Sequence, residues 1–293
     1  MLKAFAKLAL AAALTVGAGL PAQAQDKTPI KIGWTAWSDA EFVTKLAQKL
    51  IQDNYKTPVE LVQTDIAPQY QGVAKGDIDA MMMAWLPETH ADYFKRVGTE
   101  VVTLGVLYTD ARLGWVVPDY VPADQVASIA DLSKDEVKEK LGSKIQGIDP
   151  GAGLMRLSEK AVDDYDLNGY ELVSASDAAM VAALDRAIRR KEWIVVTGWS
   201  PHWMFGKYKL RYLEDPKGSL GGVERVYVLA RKGFQADHPE AAQFLMRMHL
   251  PLTELEAAMA DAQDTSYEQA VEKYIADHPA RVKYWLTGEI GGA

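Results

Sequence analysis

The chain has 293 residues, a formal net charge of −8 and no cysteine. The missing cysteines exclude a disulfide framework and thiolate sites, and the acidity argues against nucleic acid or an anionic membrane surface as a partner. The length exceeds one ordinary hydrophobic core, so two lobes are expected.

Taken in chain order, Lys3 and Lys7 precede an apolar, small-residue stretch from Leu8 to Leu20, and Ala22-Gln23-Ala24 fits a small-x-small cleavage site. The stretch is shorter than the ~20 residues a membrane span needs. A signal peptide over residues 1–24 is predicted, and with it a soluble protein exported to the periplasm. Removing those residues takes away two lysines and no acid, leaving 269 residues with a net charge of −10.

Strand-like and helix-like segments then alternate, favouring an α/β fold with mainly parallel sheets. Ile30 to Gly33 opens as a strand, and Ser38 with Glu41 reads as a capping box. The following helix buries Phe42, Val43, Leu46, Leu50 and Ile51 on one face. Val59 to Val62 is a second strand, Tyr70 to Ala74 a short helix, and Ile78 to Ala84 a third strand. The run Met81-Met82-Met83 is continuously apolar, as in a strand covered on both faces. Two prolines near Val117-Pro118 and the turn-rich Asp215-Pro216 to Gly222 segment mark crossings between lobes. Lobe I is expected to comprise residues 27–117 plus 224–293, and lobe II residues 118–223. Lobe II carries strands near 144–148 and 194–198 and helices near 154–165 and 177–190. A strand near 225–231 and a helix-rich tail follow, with Asp-His-Pro at 237–239 and 277–279 opening two helices. Two crossings permit hinge closure over a ligand.

Three tryptophans share one setting. Trp37, Trp85 and Trp199 each close a strand-like run and precede a helix-start signal. Ligands of open α/β sheets bind beyond the carboxyl ends of the strands, so three indoles delivered there could form an aromatic box. That box suits a quaternary ammonium cation, whose methylated nitrogen offers no hydrogen bond. Taken singly, each tryptophan could instead be a hydrophobic staple, Trp37 on Phe42 and Trp199 on Met204.

The segments Trp85-Leu86-Pro87-Glu88-Thr89-His90, Gly147-Ile148-Asp149-Pro150-Gly151-Ala152-Gly153, Gly198-Trp199-Ser200-Pro201-His202-Trp203 and Tyr212 to Gly218 resemble the substrate-binding proteins of ABC transporters for glycine betaine, proline betaine and choline. The match runs in order from about Lys31 to Trp285. The resemblance implies a two-lobed periplasmic binding protein fold with a hinge, and a trimethylammonium group boxed by tryptophans. By position, Trp85 and Trp199 are box residues, and Trp37 matches a box position of the choline-binding branch. Some betaine-binding members carry a tryptophan where this chain has Ala152, so the box must be closed by Trp37 or by Trp34, Leu113 or Trp115.

A ligand carboxylate needs donors. The turn Gly151-Ala152-Gly153 precedes a helix whose free N–H groups suit an anion, though its glycines could simply serve a positive φ. His202 and the Gly33-Trp34 backbone are further candidates, with His202 otherwise a solvated side chain in a helix opened by Ser200 and Pro201. Asp39 could accept the hydroxyl of choline, or merely complement the helix dipole. The glycine turn and the Trp199 motif favour betaine; Trp37-x-Asp39 favours choline.

No HExxH, P-loop, complete dinucleotide fingerprint or Gly-x-Ser-x-Gly occurs. No catalytic residue, metal or cofactor is therefore expected. The chain reads as a monomeric, periplasmic binding protein that captures glycine betaine or a related quaternary ammonium compound between its lobes for osmoprotectant uptake and delivers it to a membrane permease and its ATPase. A choline-specific protein is the first alternative, and an exported small-molecule enzyme the remote one.

Overall fold

The computed structural model describes residues 28–290, so the expected signal peptide lies outside the described residues. The first part of the chain runs β1 (Ile30–Trp34), α1 (Ser38–Tyr55), β2 (Val59–Gln63), α2 (Ile66–Lys75), β3 (Ala80–Leu86), α3 (Ala91–Val97) and the 18-residue β4 (Val101–Pro118). A 3-10 turn over Ile129–Ser133 leads into α4 (Asp135–Lys140), β5 (Lys144–Gln146), α5 (Gly153–Asp164), β6 (Glu171–Val173), α6 (Asp177–Arg190), β7 (Val196–Ser200), α7 (Met204–Lys207) and β8 (Leu210–Tyr212). The chain returns through β9 (Val223–Arg231) to α8 (Phe234–Asp237), α9 (Pro239–Arg247), α10 (Leu252–Asp264), α11 (Tyr267–Asp277) and α12 (Pro279–Thr287).

The strands pair in the order β2-β1-β3-β9-β4-β7-β5-β6, with β8 added to the end of β4. The sheet is less uniformly parallel than the alternation of elements suggests. β1 pairs in parallel with β2 and β3, and β5 with β6 and β7, but every pairing of β4 and β9 is antiparallel. Those two long strands carry the chain between the halves of the sheet, and no periodicity distinguishes them from the rest. Along β4 the partner changes from β9 to β7 at Arg112, just beyond Asp110, which has a positive φ of 61° within a register shift. A bulge there bends the strand locally.

Core formation follows the apolar runs. Met81, Met82 and Met83 are fully buried in β3, which is covered by both α1 and α2. On α1 the expected face is buried, including Phe42, Val43, Leu46, Leu50 and Ile51. The tail helices α9, α10 and α11 pack on that same helix, so the end of the chain closes the half that its start began. Pro239 and Pro279 occupy the first turns of α9 and α12, where the lost N–H costs nothing.

Two local expectations fail. Ser38 and Glu41 form no capping box: α1 begins at Ser38, with Trp37 as its N-cap residue and no side-chain cap. The Ser38 N–H donates to Asp177 Oδ2 at 3.2 Å, and Glu41 pairs with Lys45. Ser200 likewise does not open a helix. It ends β7, and α7 starts only at Met204.

Candidate functional site

Trp37, Trp85 and Trp199 converge on one cavity, narrow and almost entirely apolar in its lining. Trp85 lies within β3, Trp199 within β7, and Trp37 at the mouth of α1, so each is carried by an element that starts or ends at the cleft. From the first half of the chain Thr89 and His90 also line it; from the β7 side come Ile148, Ala152, Gly153 and Leu154. Leu113, on the connecting strand β4, supplies a further wall. The three indoles are only 3–6 % exposed although they face a void, because the two halves meet around it.

Each indole has its own support. Trp85 meets the Tyr108 ring edge-on, with centroids 6.0 Å apart and planes at 80°. Trp37 stacks on His90 (6.3 Å, 26°) and donates its indole N–H to Asp149 Oδ2 at 2.8 Å. Trp199 donates its indole N–H to Asp39 Oδ1 at 3.2 Å and packs edge-on against His202 at 4.6 Å. Such ring contacts hold planes as well as positions. The staple partners have other neighbours: Phe42 meets Tyr274, and the Met204 methyl lies against Gly198.

Behind this wall lie two residues expected beside the ligand. Asp39 is completely buried, receives the Tyr108 hydroxyl at 2.7 Å as well as the Trp199 N–H, and does not line the cavity. Burial pushes its pKa up, against the opposing effects of those two donors and of His202. It is neither an exposed helix-dipole acid nor part of the wall. His202 is also fully buried rather than solvated. Its Nδ1 accepts the Met204 N–H at 3.0 Å, which leaves the proton on Nε2 to donate to Asp177 Oδ1 at 3.0 Å.

The glycine turn serves close approach rather than a left-handed backbone. Neither Gly151 nor Gly153 has a positive φ. A Cβ on Gly153 would sit 2.3 Å from the Thr89 carbonyl oxygen and 3.0 Å from His90 Cδ2. Gly151 lies outside the wall, and its carbonyl accepts the Tyr93 hydroxyl at 2.8 Å. Helix α5 starts at Gly153 with Ala152 as an N-cap that offers no side-chain acceptor. The Met155 N–H turns back to the Ala152 carbonyl at 3.1 Å, which leaves the N–H groups of Gly153 and Leu154 with neither an intrahelical partner nor a capping side chain, and these two residues border the cavity.

His90 lines the wall beside Thr89, although the sequence alone gives neither a role. Its Nδ1 accepts the backbone N–H of Trp85 at 3.1 Å, so the neutral ring carries its proton on Nε2. Burial pulls its pKa down to about 3. The ring edge lies beside the start of α5, where the Gly153 geometry already places it. A histidine five residues after a strand-terminal tryptophan is the signal that could have found it.

Trp34 and Trp115 do not line the cavity. Trp34 is half-buried at the end of β1, and its carbonyl accepts the Thr64 N–H; Trp115 is fully buried and donates its indole N–H to Ser158 Oγ at 2.9 Å. Among the described residues no cluster of three or more His, Asp or Glu side chains could hold a metal ion, and no helix is long and apolar enough to cross a membrane.

Residues 28–277 match the family model described as the substrate binding domain of ABC-type glycine betaine transport systems. A glycine betaine/carnitine transport binding protein of Listeria monocytogenes is 34 % identical over 197 residues, or 66 % of this chain; the match spans 62 % of that relative's length. A glycine betaine/proline betaine-binding periplasmic protein of Salmonella typhimurium is 23 % identical, the match covering 97 % of this chain and 95 % of the relative. Among solved structures, lactococcal OpuAC in its closed form with glycine betaine superposes with a TM-score of 0.82 at 36 % identity, covering 89 % of this chain and all of that one. An ABC-transporter choline binding protein with choline has the same fold, with a TM-score of 0.81 at 24 % identity over 89 % of this chain and 92 % of that one. With two α/β halves closed over an indole-walled cavity, the chain belongs to the family of substrate-binding domains of ABC-type glycine betaine transport systems.

Proposed function

We propose that this protein captures glycine betaine in the cleft between two lobes and hands it to the permease and ATPase of an ABC importer. One observation carries the choice of ligand: the wall pairs three indoles with hydrogen-bond donors and contains no carboxylate. A desolvated cation over an aromatic face gains about 2 kcal/mol, so three faces supply much of the ~8 kcal/mol that micromolar affinity needs. The ligand's carboxylate then falls to the first-turn N–H groups of α5 and to the Nε2–H of His90. A positive helix end and a neutral imidazole donor both suit an anion without repelling the neighbouring cation. Choline lacks the group those donors would satisfy. Asp39, the acceptor suited to its hydroxyl, is engaged behind Trp199.

The relatives support this reading, since OpuAC at 36 % identity holds glycine betaine in a closed form. In the same reading the lobes comprise residues 27–117 with 224–293 and residues 118–223, hinged where β4 and β9 cross. Residues 1–24 direct export to the periplasm, where the closed monomer docks on the transporter. The function is capture and delivery, with no turnover.

Calorimetric titration of the purified mature protein tests the ligand. Micromolar or tighter binding of glycine betaine, with choline at least tenfold weaker, is the expected result. Choline binding more tightly than betaine would reassign the protein to choline uptake, and heat from neither would refute the ligand class.

A further inference from the structure

We infer that Trp37, Ser38 and Asp39 form a clasp that couples assembly of the indole cage to closure of the lobes, with Asp39 and Asp149 as positioning residues that never touch the ligand. The inference rests on the cage reading above and goes beyond it. Each of the three consecutive residues at the start of α1 makes one hydrogen bond to the opposite half of the molecule. The Trp37 indole N–H donates to Asp149 Oδ2, the Ser38 backbone N–H donates to Asp177 Oδ2, and Asp39 Oδ1 accepts the indole N–H of Trp199. The two indole bonds are reciprocal: each half contributes one cage indole and one carboxylate that holds the other half's indole.

The clasp explains two features the cage alone does not. The N-terminus of α1 lacks a side-chain cap because its first N–H is taken by Asp177, itself held by the His202 that abuts Trp199. Asp39 is fully buried with its carboxyl group accepting from two donors, Tyr108 and Trp199, although it lines neither the cavity nor the surface. Tyr108 in turn packs on Trp85, so the same carboxylate steadies two walls of the cage. In an opened molecule Trp199 and Trp37 would lose these partners together with their places around the cation. Closing therefore aligns the faces, and the cation, by favouring aligned faces, favours the closed state.

The test separates a clasp from a ligand contact. Asp39→Ala and Asp149→Ala should each weaken glycine betaine and choline by the same factor, ten-fold or more for Asp39, because closure is shared by both ligands. Asp39→Asn should recover most of the loss, since its carbonyl can still accept the indole N–H. Nitrogen-15-edited spectra of the betaine-saturated protein should show the Trp199 and Trp37 indole protons protected from exchange, each losing protection in its own aspartate variant. Asp149 is only half-buried, so its variant remains informative if Asp39→Ala folds poorly. A selective loss of choline in Asp39→Ala, or indole protons as labile in the wild type as in the variants, would overturn the clasp. Wild-type protein binding neither ligand would instead refute the function proposed above, and the clasp would be read from the same indole exchange in ligand-free protein, where equal lability in wild type and variants overturns it.

Discussion

At the scale of single residues, the proposed function divides the site into wall side chains that meet the ligand and side chains behind the wall that hold them. Trp85→Ala and Trp199→Ala each remove one aromatic face worth about 2 kcal/mol, so each should raise the Kd for glycine betaine at least tenfold while far-ultraviolet circular dichroism stays unchanged. Gly153 is a sharper case. An alanine there meets no backbone strain, since Gly153 has no positive φ, yet its Cβ would strike the Thr89 carbonyl across the cleft. Gly153→Ala should therefore leave the ligand-free melting temperature equal while weakening betaine at least tenfold. A melting temperature that falls would mean the glycine serves the fold instead. His202 shows how residue-level reading misleads. Beside a proline and a serine it reads as a solvated helix-start side chain, whereas its burial comes from Asp177 and Trp199, distant in the chain.

At the scale of elements, the strands and helices of each half were legible because their signals are local. The apolar run of β3, the buried face of α1 and the Pro-opened helices α9 and α12 each follow from periodicity or capping chemistry. What stayed hidden is long-range. The antiparallel central strands β4 and β9 depend on pairing across more than one hundred residues, and the start of α1 looks like a capping box until Asp177 arrives from the other half. Of the site, the tryptophans and the glycine turn were visible as types at strand and helix ends. His90 was not singled out, and the layering that places Asp39 behind Trp199 is a matter of depth, which sequence spacing does not encode. Helix α5 gives an element-scale prediction. Ala152→Pro should disturb the N-cap and weaken betaine more than choline, because the proposed function assigns those N–H groups to betaine's carboxylate alone; equal loss, measured by calorimetry, would remove α5 from the proposed anion site.

At the scale of the whole molecule, closure links binding to stability. A ligand that binds only the closed, folded form stabilises it by about 2.7 kcal/mol at a hundredfold excess over Kd, so betaine should raise the melting temperature while urea does not. Acid should act the other way through His90. Its pKa falls from 6.5 to about 3 on folding, so the unfolded chain takes up the proton first, and stability present above pH 6.5 is lost as pH falls from there towards 3, by at most about 1.4 kcal/mol per unit. Asp39 has the opposite sign: its raised pKa gives stability that is full below 3.8 and lost as pH rises through the folded value. The His90 contribution is isolated by difference. The melting temperature of His90→Gln should decline less steeply than that of the wild type between pH 6.5 and 4, and parallel curves would contradict a buried neutral imidazole.

The most direct test of the central claim, that the cleft recognises a positive charge through indole faces, is to titrate the protein with glycine betaine and with 3,3-dimethylbutyrate. The second compound keeps the carboxylate and the shape of the trimethyl head but replaces the charged nitrogen by carbon. Affinity at least a hundredfold weaker for the carbon analogue is the expected result, equivalent to about 2.7 kcal/mol of the cation–π energy. Equal affinities would contradict it and reduce the cage to an apolar pocket of the right size.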